Sequence, residues 1–391
     1  MKLQKILPAL LCPVLLMAVH TAQSAEKVKV GLLTTLSGPN AMLGAEIRDG
    51  FNLGVKHSEN KLGGLPVEVI VTDDQLNPET GRQTADRYIR REKVDFMTGV
   101  VASNVLMPIL PSVLASDTIY LSPNTGPEDY AGAKCNKNFF AVAWQNEDIP
   151  QGMGVYAKSK NYQRVALIAP NFPGGRESIA GFKRGYQGDV VEEVYTKLGQ
   201  VDFASELSTL RASKPDAIFF FLSGGMGVNF IKQFAASGMA GGVALLAPGF
   251  SADIDTINAV GDQMLGLHNT SQWAADLDND ANKQFVADYV ETYGRVPTMY
   301  ASQGYDVARL LDSAIRAVGG NLEDKDALRA AIRKADFQSV RGKFRFNHNN
   351  FPIQDIHLRE VVKGEDGKLA NKFVGTVMHD HADSFAAQCK M

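Results

Sequence analysis

The sequence predicts an α/β protein built as two doubly wound parallel-sheet lobes. Three observations predict it. Strand-like and helix-like segments alternate with short connections, several strands are apolar along nearly their whole length, and the alternation starts afresh near Arg164. A strand covered by helices on both faces has no wet side to show, so unbroken apolar runs mark a parallel sheet.

The elements follow in order. "KVKVGLLTTL" reads as a first strand ending at the turn Ser37-Gly38-Pro39, and a helix follows in which Ile47, Phe51 and Val55 recur at four-residue spacing. "GGLPVEVIVTDD" is a second strand, "PETGRQTADRYIRRE" a second helix and "VDFMTGVV" a third strand. "SNVLMPILPSVLAS" is a helix bent by Pro108 and Pro111, and "TIYLSP" a fourth strand. The second unit repeats the plan through "RVALIAP", "VVEEVYTK", "DAIFFFLSG" and "VALLAPG", with helices between them. Two long helical segments then run from Asn279 to Gly320, and "GKFRFNHNNFPIQDIHLREVV" reads as strands joined by an Asn-rich turn. Helices and strands placed this late predict that the chain crosses between the lobes more than once.

The first residues carry an address. Lys2 and Lys5 precede an apolar run from Ile6 to Val19, and "TAQSAE" supplies small residues, which together read as a secretory signal peptide over residues 1–25. The run is short of the roughly 20 residues that span a bilayer. Cys12 lies inside it and is expected to leave with it. The formal charge is −3 for the whole chain and −5 without Lys2 and Lys5, and no basic block is present, so a nucleic-acid partner is not expected. About 365 residues remain, enough for two lobes of roughly 100–200 residues each. Only Cys135 and Cys389 survive cleavage, and two thiols in an oxidising compartment are expected to form one bridge.

Open parallel sheets bind ligands at the carboxyl ends of their strands, so the residues that follow each strand are the candidate rims. They are short, polar or glycine-rich, and they come from both units. In "TGVVASNV", after Ala102, Ser103 stands where a helix starts, so a hydroxyl and free N–H groups together make an anion site. In "YLSPNTGPE", Asn124, Thr125 and Gly126 add donors. Helix capping and a turn account for the same residues without any ligand. "FFFLSGGMGVNF" departs from the dinucleotide pattern and reads as a close strand-to-helix turn. No phosphate-binding P-loop pattern and no GxSxG elbow occurs, and His379 and His381 in "MHDHADS" read as a polar tail rather than a metal site. No catalytic residues, metal or cofactor are assigned.

The stretches "VKVGLLTTLSGPNAMLGAEIRDGFNLGV", "GVVASNVLMPILPSVLASDTIYLSP", "FFAVAWQNEDIPQGMGVYA" and "PTMYASQGYDVARLLDSAI" resemble, in this order, the type I periplasmic solute-binding proteins of ABC importers, specifically the leucine/isoleucine/valine-binding branch. The resemblance implies two lobes joined by a three-crossover hinge: residues 26–143 plus 273–342, then 144–272 plus 343–375, with 376–391 returning to the first lobe. It implies a periplasmic monomer that closes on a solute and delivers it to a membrane permease. The solute carboxylate would meet Ser103 and the Asn124–Gly126 turn, and Phe172 would supply an aromatic lip. Where relatives carry an acid for the solute ammonium, this chain offers Phe250 with Ser251 beside it. Leu43 replaces an aromatic at the first rim, and Gly225 and Met226 stand where relatives have a tyrosine. An unpaired buried ammonium costs several kcal/mol, so these departures favour an apolar or aromatic carboxylate over an α-amino acid. Branched-chain amino acids remain the alternative, with Asp253 as a possible partner for the ammonium. A secreted α/β hydrolase is the remote one. Tyr305 and Asp306 are expected to support packing or the hinge.

Overall fold

A computed structural model of the chain describes residues 27–391, so the expected leader, residues 1–25, lies outside the described residues. The first lobe is laid down as β1 (Val28–Thr34), α1 (Ala41–Lys56), β2 (Lys61–Leu62), β3 (Leu65–Asp73), α2 (Pro78–Arg87), β4 (Phe96–Thr98), α3 (Ser103–Ala115), β5 (Ile119–Ser122), α4 (Glu128–Ala131) and β6 (Phe139–Ala141). Its sheet runs β2-β3-β1-β4-β5-β6 and is parallel from β3 to β6. β1, β4 and β5 are buried on both faces, apart from Lys29, as their apolar runs require.

The second lobe contains α5 (Asp148–Ser159), β7 (Arg164–Pro170), α6 (Pro173–Tyr186), β8 (Asp189–Thr196), α7 (Ala204–Ala212), β9 (Ala217–Phe220), α8 (Gly225–Ala236), β10 (Ala244–Pro248), α9 (Ile254–Val260) and β11 (His268–Ser271). The chain then returns to the first lobe as α10 (Asp280–Tyr293), α11 (Met299–Ala317) and α12 (Lys325–Lys334). It goes back to the second sheet as β12 (Arg345–Phe346), β13 (Pro352–Lys363) and β14 (Leu369–His381). That sheet runs β12-β13-β11-β10-β9-β7-β8, with β14 along β13. Three passages thus link the lobes, one after β6, one after β11 and one after α12.

α11 lies against α1 at close range because glycines face the crossing. A Cβ on Gly50 would come within 1.9 Å of the Ala301 carbonyl oxygen, and one on Gly304 within 2.1 Å of that of Ile47. Each helical glycine gives up about 1 kcal/mol of propensity, which close packing of two apolar faces offsets.

The end of the chain differs from expectation. "MHDH" is not tail but the last turnless stretch of β14, a 13-residue strand with no fully buried position. Its inner face is only half-buried, with Leu369, Val377 and Met378 against the cores, and polar residues such as Asn371 and Thr376 share that face, so its pattern is faint in sequence. His381 there pairs with Asp148 at 2.9 Å. Beyond β14 the chain returns to the first lobe, where Phe385 joins the core cluster of Phe139, Tyr130 and Phe351, and Cys389 is bonded to Cys135.

Candidate functional site

The rims of the two sheets face each other across a cleft whose empty space, counting what is open to solvent, is about 630 Å³. This is within the usual range for a small-molecule site. Each rim is fixed by local bonds. After β1, the Thr35 hydroxyl donates to Asp74 at 2.7 Å and the Leu36 N–H to Asp73 at 2.8 Å, which sets the turn that carries Asn40 and Leu43 into the cleft. After β7, α6 begins at Pro173, and the extended Phe172 ahead of it lines the cleft. After β9 and β10, the Leu222 N–H donates to Ser251 Oγ at 3.0 Å and ties two rims together.

The polar end of the cleft is built on the start of α3. Ala102 occupies the cap position and offers no side-chain cap, so the N–H groups of Ser103 and Asn104 have no helical carbonyl ahead of them. Ser103 Oγ lies 2.5 Å from Thr125 Oγ1. Asn146 completes the group. Its Oδ1 accepts from the Gly126 N–H at 2.9 Å, which fixes the amide orientation, and its Nδ2 donates to Ser103 Oγ at 3.1 Å. Asn124 also lines the cleft and is held by donation from its Nδ2 to the Val101 carbonyl.

The walls are aromatic and form one connected row. Trp144 packs on Phe250 at 5.5 Å between ring centroids, Phe250 meets Phe221 edge-on at 4.9 Å, and Phe221 meets Phe172 at 6.0 Å. Leu43, Met226 and Leu198 fill the remaining apolar wall. At the rim where β1 faces β9, Asn40, Ser223 and Tyr300 supply a second, smaller polar group. Burial and the nearby Asp255 and Asp253 keep the Tyr300 phenol protonated well above its ordinary range. None of the described residues lining the cleft is Asp, Glu, Lys, Arg or His.

Eight of the residues expected at a site come together here: Leu43, Ala102, Ser103, Asn124, Thr125, Phe172, Met226 and Phe250. Three do not line the cleft. Gly126 sits behind Thr125, where a Cβ would strike the Trp144 carbonyl oxygen at 2.0 Å, so it permits close packing. Gly225 faces Pro39 across the rims, and Ser251 is buried with its hydroxyl accepting from Leu222. Asp253 does not reach the cleft either. Its carboxylate accepts from the N–H groups of Met299 at 2.7 Å and Ile254 at 2.9 Å, and Arg359 lies 3.8 Å away. The partner weighed for an ammonium is therefore already engaged at the start of α11.

Sequence reasoning missed Trp144, Asn146, Phe221 and Tyr300. Phe221 had a signal: Phe219 and Phe220 enter opposite cores, so the next residue, at the carboxyl end of β9, falls on the rim. Asn146 and Trp144 lie in the first passage between lobes, and Tyr300 on a helix from a distant part of the chain. Only the assembled fold brings them here.

The model of the periplasmic binding protein family matches residues 27–368. A protein named Leu/Ile/Val-binding protein homolog 6 from Brucella melitensis is 27% identical over 372 residues, covering 91% of this chain and 93% of its own length. A solute-binding protein of an ABC transporter from R. palustris, solved with benzoate, superposes with a TM-score of 0.88 at 32% identity, covering 93% of this chain and 100% of that one. Another from R. palustris, solved with 4-hydroxybenzoate, gives a TM-score of 0.86 at 28% identity, covering 92% and 98%. The hydrolase alternative finds no support among these relatives.

Proposed function

Because the chain belongs to the periplasmic binding protein family, we propose that it captures a small aromatic carboxylate of the benzoate class between its lobes and hands it to an ABC-importer permease. The single observation behind the solute class is the cleft lining: an uncapped helix start for an anion, an aromatic row beside it, and no charged side chain among the described residues. The Ser103 and Thr125 hydroxyls and the first N–H groups of α3 hold the carboxylate, aided by the positive end of the helix dipole. Phe172, Phe221, Phe250 and Trp144 enclose the ring. Asn40, Ser223 and Tyr300 can hydrogen-bond a ring hydroxyl, which agrees with the hydroxybenzoate bound by the relative from R. palustris. An α-amino acid would bring an ammonium into a lining without a carboxylate, at a loss of several kcal/mol.

No helix among the described residues is long and apolar enough to cross a membrane. The protein acts in this reading as a periplasmic monomer, released by removal of residues 1–25, that binds without turning over its solute. Residues 26–143 with 273–342 act as one lobe, 144–272 with 343–375 as the other, and 376–391 as a return to the first. Closure follows from solute contacts that both rims make only when shut.

Calorimetry of ligand-stripped protein tests the solute class. Benzoate and 4-hydroxybenzoate are expected to bind saturably and leucine to give no heat. Ser103→Ala, which removes a hydrogen bond to a charged group, is expected to weaken benzoate binding by about tenfold to a hundredfold. Tight leucine binding with silence toward both benzoates would end the aromatic reading.

A further inference from the structure

One carboxyl group stands directly behind the anion site and has no cation facing it among the described residues. Glu177 lies on α6 of the second lobe. Its Oε2 accepts from Asn146 Nδ2 at 2.8 Å and faces the N–H of Glu128, on the first lobe, at 3.4 Å. Since the Gly126 N–H fixes the Asn146 amide, the two Nδ2 protons go to Ser103 Oγ and to Glu177. One side-chain amide therefore bridges the solute-facing hydroxyl of one lobe and an acid of the other.

The charged groups around Glu177 offer it no compensation. Glu128 on α4 and Glu147 before α5 both add negative charge. Arg184, further along α6, is spent on Glu147 at 2.8 Å, and the exposed Arg176 donates to Asn171. Asp148, beside Glu147, is paired with His381. The start of α6 also closes on Ser103, since a Cβ on Gly174 would lie 3.2 Å from Ser103 Oγ.

We propose that Glu177 binds a proton when the lobes close, so that capture of an anionic solute is accompanied by uptake of one proton. Parting the lobes carries α6 away from Glu128 and returns the carboxyl to water. With α6 against Glu128 the residue is half-buried, and this desolvation first, and then Glu128 and Glu147, push its pKa up to about 8 from an ordinary 4.5, against the pull of Asn146 and the Glu128 N–H. A group whose pKa is raised by closure favours the closed form at low pH. The contribution of Glu177 to affinity is accordingly level below about 4.5, falls by up to tenfold per pH unit between about 4.5 and 8, and is level again above. A solute carboxylate on Ser103 adds a further negative charge on the same side. This rests on the anion-site reading for the solute, but not for the acid itself.

Calorimetry at pH 7 in phosphate and in Tris, with benzoate as the probe, counts the protons. The wild type is expected to take up about one proton and to lose close to tenfold in affinity from pH 6.5 to 7.5. Glu177→Gln, which keeps an acceptor for Asn146, is expected to give heats independent of buffer and a flat affinity across that range. Asp255→Asn is the control, because burial beside Asp253 pushes Asp255 up to about 7 as well, and proton uptake is expected to persist there. Buffer-independent heats in the wild type, or uptake that survives in Glu177→Gln, would overturn the proposal. If leucine rather than benzoate binds, the same count with leucine decides the role of Glu177, and the aromatic reading alone fails.

Discussion

Asp306→Ala is expected to lower the unfolding free energy by about 3–5 kcal/mol, read as a fall in the urea midpoint of ligand-free protein. Asp306, on α11, and Arg341, in the last passage between lobes, are fully buried together, with side chains 0% and 1% exposed. Asp306 accepts from Arg341 Nε at 3.0 Å, Ser339 Oγ at 2.6 Å and the Val340 N–H at 3.1 Å. Arg341 in turn donates to the Ala143 carbonyl at 3.2 Å and to Gln354 at 2.8 Å. The pair thus fastens all three of α11, the first passage and β13. Truncating the acid strands a guanidinium in the interior, and the loss comes from that unpaired charge more than from the pair's own attraction. The double variant Asp306→Ala with Arg341→Met is therefore expected to be more stable than the single one. A loss below about 1 kcal/mol, or no recovery in the double variant, would show that the pair does not hold the hinge. Ala143 precedes Trp144, so the single variant is also expected to weaken solute binding.

Reduction of Cys135–Cys389 is expected to cost about 4 kcal/mol. The bridge joins residues 254 apart in sequence, and a loop of that length releases much chain entropy when opened. The returning segment is otherwise held by Phe385, which packs into the cluster of Phe139, Tyr130 and Phe351 and lies under Arg184, and by the Asn349 amide, which donates to Asp383 at 2.9 Å. Thermal unfolding with and without reductant measures the effect, with Cys135→Ser and Cys389→Ser as a second route to the same state. A midpoint that does not move under reductant, in protein shown to have free thiols, would mean that the bridge contributes nothing to stability.

The lobes were legible because a doubly covered sheet imposes unbroken apolar strands, as in "RVALIAP" and "TIYLSP". β14 was not, because the inner face of this edge strand is only half-buried and accepts polar residues such as Asn371 and Thr376 among its apolar ones. At the site, residues following strands could be read one rim at a time, which reached Ser103 and Thr125, and the family resemblance added Phe172 and Phe250. Asn146 and Tyr300 escaped because nothing local marks a residue that enters the cleft from a passage between lobes or from a late helix. The aromatic row was visible only in part, since its members come from four separate segments. Asp253 shows the converse. Its sequence position made it a candidate counter-charge, yet the N–H of Met299 had prior claim on it.

The most direct test of the anion site is a crystal of ligand-stripped protein grown with benzoate. The carboxylate oxygens are expected within hydrogen-bonding reach of Ser103 Oγ and the first N–H groups of α3, with the ring between Phe172 and Phe250. A carboxylate turned toward Tyr300 and Ser223 instead, or a cleft without benzoate at saturating concentration, would contradict the account.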